Sequence, residues 1–278
     1  MRVRERPRDA VLVIGFPSVS GGVATRLIAL GVRPISVDDP PAAAARLARE
    51  LAPVRAAIVP TRAPFLTPGA LWRLTRSKGH SPLHCLALGP RVEDASLEKL
   101  RRAGVQTTLF EPYTDRELRF SLNRAQHDDT RSQNRSHPRA ATDLLARIRL
   151  GTREKIGLVY SLSAVGCYVE TDRPCVPGGL VSLHIPLPGC GQEIPARVAF
   201  SNVPGDFERR NLPRGMALEF LDLGLAQKAA LARYVDAKLA EQGIVPIGDR
   251  MAATSSMARV WARLRGLIMQ PLRVEAAN

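Results

Sequence analysis

The sequence predicts two domains: an α/β doubly wound parallel sheet, then a six-stranded antiparallel β-barrel followed by a helix. Three observations lead to this prediction. Short, continuously apolar segments alternate with helix-period segments in the first half of the chain, and a polar stretch follows them. Beyond that stretch, apolar and polar residues alternate between glycine and proline turns. Continuous apolar strands between helices are typical of a parallel sheet covered on both faces, whereas period-two strands with tight turns are typical of small barrels.

Five strand-and-helix units make up the first half. The predicted strands cover residues 10–16, 34–37, 56–59, 83–88 and 106–110. The predicted helices cover residues 22–30, 42–51, 68–77, 95–103 and 115–125. Repeated units of this kind are typical of a small doubly wound domain. We therefore expect the first domain over residues 9–126.

A polar stretch, residues 127–139, is predicted to be a linker because it has a proline and no apolar periodicity. Short alternating strands are predicted after it, over residues 144–150, 156–162, 166–170, 180–186, 193–201 and 216–221. A helix-period segment over 224–240 follows the last strand. This order predicts a small antiparallel barrel with a C-terminal helix over residues 140–243.

The remaining residues, 244–278, form a predicted tail that contains a basic amphipathic helix over 255–269. Five apolar residues recur there at helical spacing: Met257, Val260, Trp261, Leu264 and Ile268. Such a helix suits binding in a groove of a partner protein or on a second subunit. Binding to an anionic membrane surface is less favoured. The alternative is that the helix packs back on its own domains.

The first half is similar to the receiver domain of two-component response regulators in the number and spacing of its units over residues 10–125. That family needs acidic residues after the first strand, an aspartate ending the third, a threonine or serine ending the fourth and a lysine ending the fifth. At those places the chain has Gly15-Phe16-Pro17, Pro60-Thr61, Gly89-Pro90 and Glu111-Pro112. Without the carboxylates, the resemblance implies a pseudo-receiver that has no Mg²⁺ site and no phosphoryl acceptor.

A nucleotide site in the first half is an alternative. Gly15, Gly21 and Gly22 follow the first strand, and Asp38 and Asp39 end the second. The glycine spacing differs from the G-x-G-x-x-G that brings backbone close to a pyrophosphate, and no G-K-[ST] occurs. Turn glycines before a serine-capped helix explain the same pattern.

Two short motifs stand at the predicted barrel. Arg135-Ser-His-Pro-Arg139 comes just before its first strand, and Ser161-Leu-Ser163-Ala-Val-Gly166 forms the turn between the second and third strands. In the order and separation of these motifs, and in a glycine of the last strand, residues 134–242 resemble the PilZ domain, a bacterial receptor for cyclic di-GMP. The resemblance implies cyclic di-GMP as the ligand and the following binding residues: Arg135, Arg139, Ser161, Ser163 and Gly166.

These residue types suit a ligand with two phosphates and two guanines. A guanidinium pairs with phosphate oxygens, offers two donors to guanine O6 and N7, and stacks on a purine. Arg135 and Arg139 lie in the predicted linker, so binding is expected to order the linker over the barrel. Ser163 would supply a hydroxyl, and Gly166 would let the backbone approach the ligand. Ser161 stands where the family has Asp or Asn, and a lost charge-assisted bond there would weaken binding about tenfold to a hundredfold.

No catalytic set, metal site or cofactor is expected. The five histidines show no metal-ligand spacing, and Ser163 lacks the G-x-S-x-G environment of a hydrolase nucleophile. The four cysteines have no paired spacing, which indicates a reducing cytoplasm. The sequence therefore predicts a cytoplasmic protein that is not an enzyme.

The formal charge of +14 comes mainly from arginine, because only five of the 40 basic residues are lysines. Arginine binds phosphate bidentately and stacks on flat rings, which suits a phosphate-bearing partner. The composition typical of a GC-rich genome explains the same charge. Basic residues are spread along the chain and aromatic residues make up only 5%, so we do not expect DNA as a partner.

Together these expectations predict a bacterial signalling adaptor. Cyclic di-GMP would order the linker and change how the domains face each other. The protein would then engage a partner protein through the pseudo-receiver or the tail helix. The resemblance implies control of motility, polarity or surface polysaccharide. Two alternatives stay open: a PilZ-like scaffold that has lost nucleotide binding, and a nucleic-acid-binding regulator. No apolar segment approaches the roughly 18 residues that span a bilayer.

Overall fold

The structure is a computed structural model that describes residues 10–16, 22–50, 54–71, 74, 83–127, 137–191, 193–203 and 212–241. Arg135 and the tail over residues 244–278 lie outside these ranges, as does most of the predicted linker. No helix among the described residues is long and apolar enough to cross a membrane.

A parallel sheet with helices forms the first half of the described chain. Its strands are β1 (Ala10–Ile14), β2 (Arg33–Val37), β3 (Val54–Pro60), β4 (His84–Gly89) and β5 (Thr107–Phe110). Its helices are α1 (Gly22–Ala29), α2 (Pro40–Leu47), α3 (Asp94–Ala103) and α4 (Asp115–His127). The strand order β2-β1-β3-β4-β5 is the doubly wound order that receiver domains share. In the predicted helix at 68–77, the structure describes Ala70, Leu71 and Leu74 as helical.

The sheet is buried on both faces, which explains why its strands read as continuous apolar runs. Leu12 and Ile14 of β1 pack on one face with Leu47 of α2. Val11 of the same strand packs on the other face with Leu118 of α4. Successive residues of a strand point to opposite faces, so each face needs its own apolar set.

Polar residues at the helix starts fix where two of the helices begin. Asp39 accepts a hydrogen bond from Ala42 N at 2.8 Å and caps α2. Thr114 and Glu117 form a reciprocal capping box at α4: Glu117 Oε2 accepts from Thr114 N at 2.8 Å, and Thr114 Oγ1 accepts from Glu117 N at 3.2 Å. This box sets the start of the helix that meets the barrel.

A closed antiparallel barrel and a helix form the second half of the described chain. The strands are β6 (Ala140–Leu150), β7 (Arg153–Ser163), β8 (Gly166–Glu170), β9 (Leu180–His184), β10 (Ile194–Asn202) and β11 (Gly215–Phe220). They close in the order β10-β11-β8-β7-β6-β9. Helix α5 (Leu225–Glu241) buries Leu231, Val235 and Leu239 against the barrel core. The predicted fold class is confirmed for both halves.

Candidate ligand-binding site

The second motif spans the hairpin that joins β7 to β8. Ser163 and Gly166 face each other as the last paired residues of this hairpin. Ser163 Oγ donates to Gly166 O at 2.9 Å and accepts from Val165 N at 3.4 Å. The Ser163 side chain is 1% exposed. In this arrangement its hydroxyl holds the turn, so a bond from it to a ligand stays a prediction.

The packing of β8 against β11 requires a glycine at position 166. A Cβ built on Gly166 would lie 2.4 Å from Leu218 O and 3.5 Å from Glu219 Cα. A side chain is excluded at Gly215 for the same reason, because a Cβ built there would lie 2.1 Å from Val169 O. The neighbouring strand therefore approaches the backbone closely at Gly166. The approach of a ligand there, which the sequence analysis expects, stays a prediction.

Ser161 lies in a row of residues on the outer face of the barrel. Its cross-strand neighbours are Ala141 on β6 and Tyr168 on β8, and Tyr168 in turn pairs with Ala217 on β11. The next residues along the strands, Leu162 among them, point into the barrel core. Ser161 is only 4% exposed although it faces outward.

A β-bulge turns Tyr160 to the same outer face. Val159 pairs with Val169 and Ser161 pairs with Tyr168, so the register shifts between them and leaves Tyr160 as the extra residue. Tyr160 is 2% exposed and clusters with Ala141 and Tyr168. Burial raises the pKa of its hydroxyl above the ordinary value. The residue directly before the motif therefore belongs to a packed surface.

Of the two motif arginines, the structure describes Arg139. Its side chain is exposed, and it directly precedes Ala140, which pairs with Leu162. The antiparallel register therefore brings Arg139 to the level of Ser163. Its charge also acts on the buried Cys167 thiol: burial raises the pKa of Cys167 to about 12, while Arg139 lowers it. The structure thus brings Arg139 next to the motif hairpin.

Helix α4 of the sheet domain packs on this outer face. The Phe120 ring meets the Tyr160 ring edge-on, with centroids 6.1 Å apart and planes at 69°. Asn123 Nδ2 donates to the Tyr160 hydroxyl at 3.2 Å. Arg116 Nε lies 3.2 Å from Glu170 Oε2 at the end of β8. We call this contact between α4 and the barrel the α4 seam.

An aromatic row extends the α4 seam across the barrel. Tyr168 lies 5.9 Å from both the Tyr160 ring and the Phe200 ring, measured between centroids. The Tyr168 hydroxyl donates to Pro213 O at 2.6 Å. The sequence patterns did not point to these aromatic residues as part of the site. The available signal was weak: aromatic residues are rare in this chain, and Tyr160 stands directly before the second motif.

A concavity of about 600 Å³ lies at the carboxyl ends of the parallel strands. Such a crevice is where ligands bind in open α/β sheets. It is lined by Phe16, Arg26, Thr61, Arg62 and Tyr113, among others. Arg26 is already engaged, because its guanidinium pairs with Asp115 at 2.6 Å and stacks 4.4 Å from the Tyr113 ring centroid. Within the described ranges, no group of three His, Cys, Asp or Glu residues is placed to hold a metal ion.

The fold defines a two-domain protein with a receiver-like parallel sheet and a closed six-stranded antiparallel barrel. Residues 133–237 match the family model of the PilZ domain. The barrel half of this chain is therefore a PilZ domain. A search of curated proteins finds no match to the chain.

Solved structures resemble the two halves separately. The Bacillus subtilis inhibitor of motility, MotI/DgrA, is 24% identical over 39% of this chain, with a TM-score of 0.33, and the match spans only 52% of that protein. The PilZ domain of CeSA from a cellulose-synthesizing bacterium is 18% identical over 36% of this chain and 96% of its own, with a TM-score of 0.27. The Vibrio cholerae chemotaxis protein CheY4 is 17% identical over 42% of this chain and 98% of its own, with a TM-score of 0.37.

Proposed function

We propose that this protein is a bacterial signalling adaptor that binds cyclic di-GMP on the outer face of its PilZ barrel. The observation that carries the proposal is the position of Arg139 beside the Ser163–Gly166 hairpin. Arg139 is exposed, and a guanidinium is the group that pairs with phosphate oxygens and with the O6 and N7 edge of a guanine. Arg135, four residues earlier, would add a second guanidinium.

Binding would act as a switch because the two arginines come from the linker between the domains. A dianionic ligand that pairs with both would draw residues 127–139 onto the barrel. The linker is covalently joined to helix α4, so this ordering would change how the sheet domain and the barrel face each other. The rearranged surface would then engage a protein partner. We place the adaptor in the cytoplasm, in keeping with four cysteines that all lie in described ranges and are free and buried.

Calorimetric titration of the full chain with cyclic di-GMP tests this function. We expect the wild type to bind, and Arg139→Ala and Arg135→Ala each to weaken the affinity at least tenfold, as loss of a charge-assisted contact predicts. Arg147→Ala is the matched control, since Arg147 is an exposed arginine farther along β6 and pairs with His184 of β9. Equal losses in all three variants would point to non-specific attraction of a polyanion.

The second candidate function is a PilZ scaffold that acts through protein contacts without a nucleotide. One observation favours it: Ser161 and Ser163 are 4% and 1% exposed, and the Ser163 hydroxyl already donates to Gly166 O. The same titration separates the candidates. An affinity weaker than millimolar that Arg139→Ala leaves unchanged would favour the scaffold.

A further inference from the structure

We propose that helix α4 is an autoinhibitory element of the barrel, so that its docking on the outer face and the binding of cyclic di-GMP at the Ser161–Gly166 motif exclude each other. The proposal rests on the nucleotide-binding function proposed above. It adds a regulatory role for the sheet domain: the closed state of the α4 seam is the state of low nucleotide affinity.

The position of Ser161 carries the argument. Its neighbours on both adjacent strands, Ala141 and Tyr168, belong to one apolar cluster with Phe120 of α4. The residue before it, Tyr160, belongs to the same cluster. Ser161 thus has neighbours on three sides that belong to the cluster of Phe120, and one of them, Tyr160, contacts the Phe120 ring directly. A ligand that bonds to the Ser161 hydroxyl has to reach the surface that the α4 seam covers.

The chemistry of Ser161 fits a covered surface. A carboxylate or a primary amide in an apolar cluster would lose hydration and would need several hydrogen-bond partners to compensate. A serine hydroxyl is smaller and is satisfied by a single partner. The serine at this position is therefore compatible with a closed α4 seam.

The α4 seam combines a ring contact with polar contacts at its edge. It includes the Phe120 contact, the hydrogen bond from Asn123 to Tyr160, and the partly exposed pair of Arg116 with Glu170. Exposed ion pairs of this kind add little stability. Near α5, Arg91 also donates to Glu241 O at 3.0 Å, in a bond at the protein surface. A few contacts of this size allow a reversible interface between domains.

Reciprocal linkage gives the test. If docking of α4 and nucleotide binding exclude each other, weakening the α4 seam must strengthen nucleotide binding. We expect Phe120→Ala to bind cyclic di-GMP about tenfold more tightly than the wild type, and Asn123→Ala to shift the affinity in the same direction. Phe65→Ala is the matched control, because Phe65 packs on the opposite face of the sheet from α4 and should leave the affinity unchanged.

Small-angle X-ray scattering on the same samples supplies a readout that does not depend on affinity. Cyclic di-GMP should increase the radius of gyration of the wild type, and Phe120→Ala should have the larger radius without nucleotide. Circular dichroism before each experiment confirms that the variants are folded. Asn123→Ala, a change at a half-buried polar side chain, carries the test if Phe120→Ala does not fold.

The outcomes separate the two proposals. Tighter binding by Phe120→Ala, with unchanged binding by Phe65→Ala, supports autoinhibition. Equal affinities in the wild type, Phe120→Ala and Asn123→Ala overturn autoinhibition but leave the proposed nucleotide binding intact. Weaker binding by Phe120→Ala and Asn123→Ala has the same two consequences. Absence of binding by all of them overturns the nucleotide function, and autoinhibition falls with it.

Discussion

The hydroxyl of Tyr160 accepts a hydrogen bond from Asn123 Nδ2 at 3.2 Å, and this bond joins the PilZ barrel to the last helix of the sheet domain. Tyr160 occupies the bulge directly before Ser161. The strand that carries the predicted ligand motif is therefore also the strand that holds α4. The contact with α4 and the predicted ligand motif therefore involve adjacent residues of one strand.

Replacing Tyr160 by phenylalanine tests how much this hydrogen bond contributes to the free energy of unfolding. The ring contact with Phe120 is retained, but the partly buried Asn123 amide loses an acceptor. We expect Tyr160→Phe to lower the free energy of unfolding by about 0.5–1.5 kcal/mol, measured by urea denaturation. Tyr234→Phe, a change at a half-buried tyrosine of α5, is the control. An unchanged free energy in Tyr160→Phe would show that the bond contributes nothing to stability.

Replacing Gly166 by alanine tests the packing between β8 and β11. The new methyl group would lie 2.4 Å from Leu218 O, so one of the two strands must move. We expect a loss of about 1–3 kcal/mol of stability, or failure to fold, in a thermal or urea melt. Gly191→Ala is the control, since a Cβ there has no atom within 4 Å. If Gly166→Ala melts like the wild type, the glycine serves something other than strand packing.

Alkaline pH tests the burial of Cys167. Burial raises the pKa of this thiol from 9.0 to about 12, so the folded state keeps its proton at a pH where the unfolded chain loses it. The resulting stability is fully present below about pH 9 and is lost as the pH rises toward 12. Each such thiol steepens the decline by up to about 1.4 kcal/mol per pH unit. Cys85, whose pKa burial also raises to about 12, contributes in the same sense.

Cys167→Ala isolates this contribution. In urea denaturation at pH 8, 9 and 10, the variant should lose stability less steeply above pH 9 than the wild type. A second variant, Cys190→Ala, at another buried and free cysteine, is the comparison. If stability falls equally steeply with pH in the wild type and in Cys167→Ala, the prediction that the buried thiol keeps its proton is wrong.

The elements of both domains could be predicted from local patterns. Strand β8 has the bounds that the sequence indicates, and each other described strand agrees with its prediction within a few residues at either end. The reason is that apolar periodicity and turn residues act over short stretches of chain. The hairpin position of Ser163 and Gly166 follows from the same local signals.

The surroundings of the motif were decided by tertiary structure. The sequence marks Ser161 and Ser163 as polar residues beside a turn, but their burial depends on cross-strand register. The bulge at Tyr160 depends on the register between β7 and β8, and the packing of Phe120 on Tyr160 joins residues 40 positions apart. No local pattern encodes such contacts. The sequence by itself therefore determined the two folds and the motif, whereas the tertiary structure decided that the motif strand is shared between a predicted ligand and helix α4.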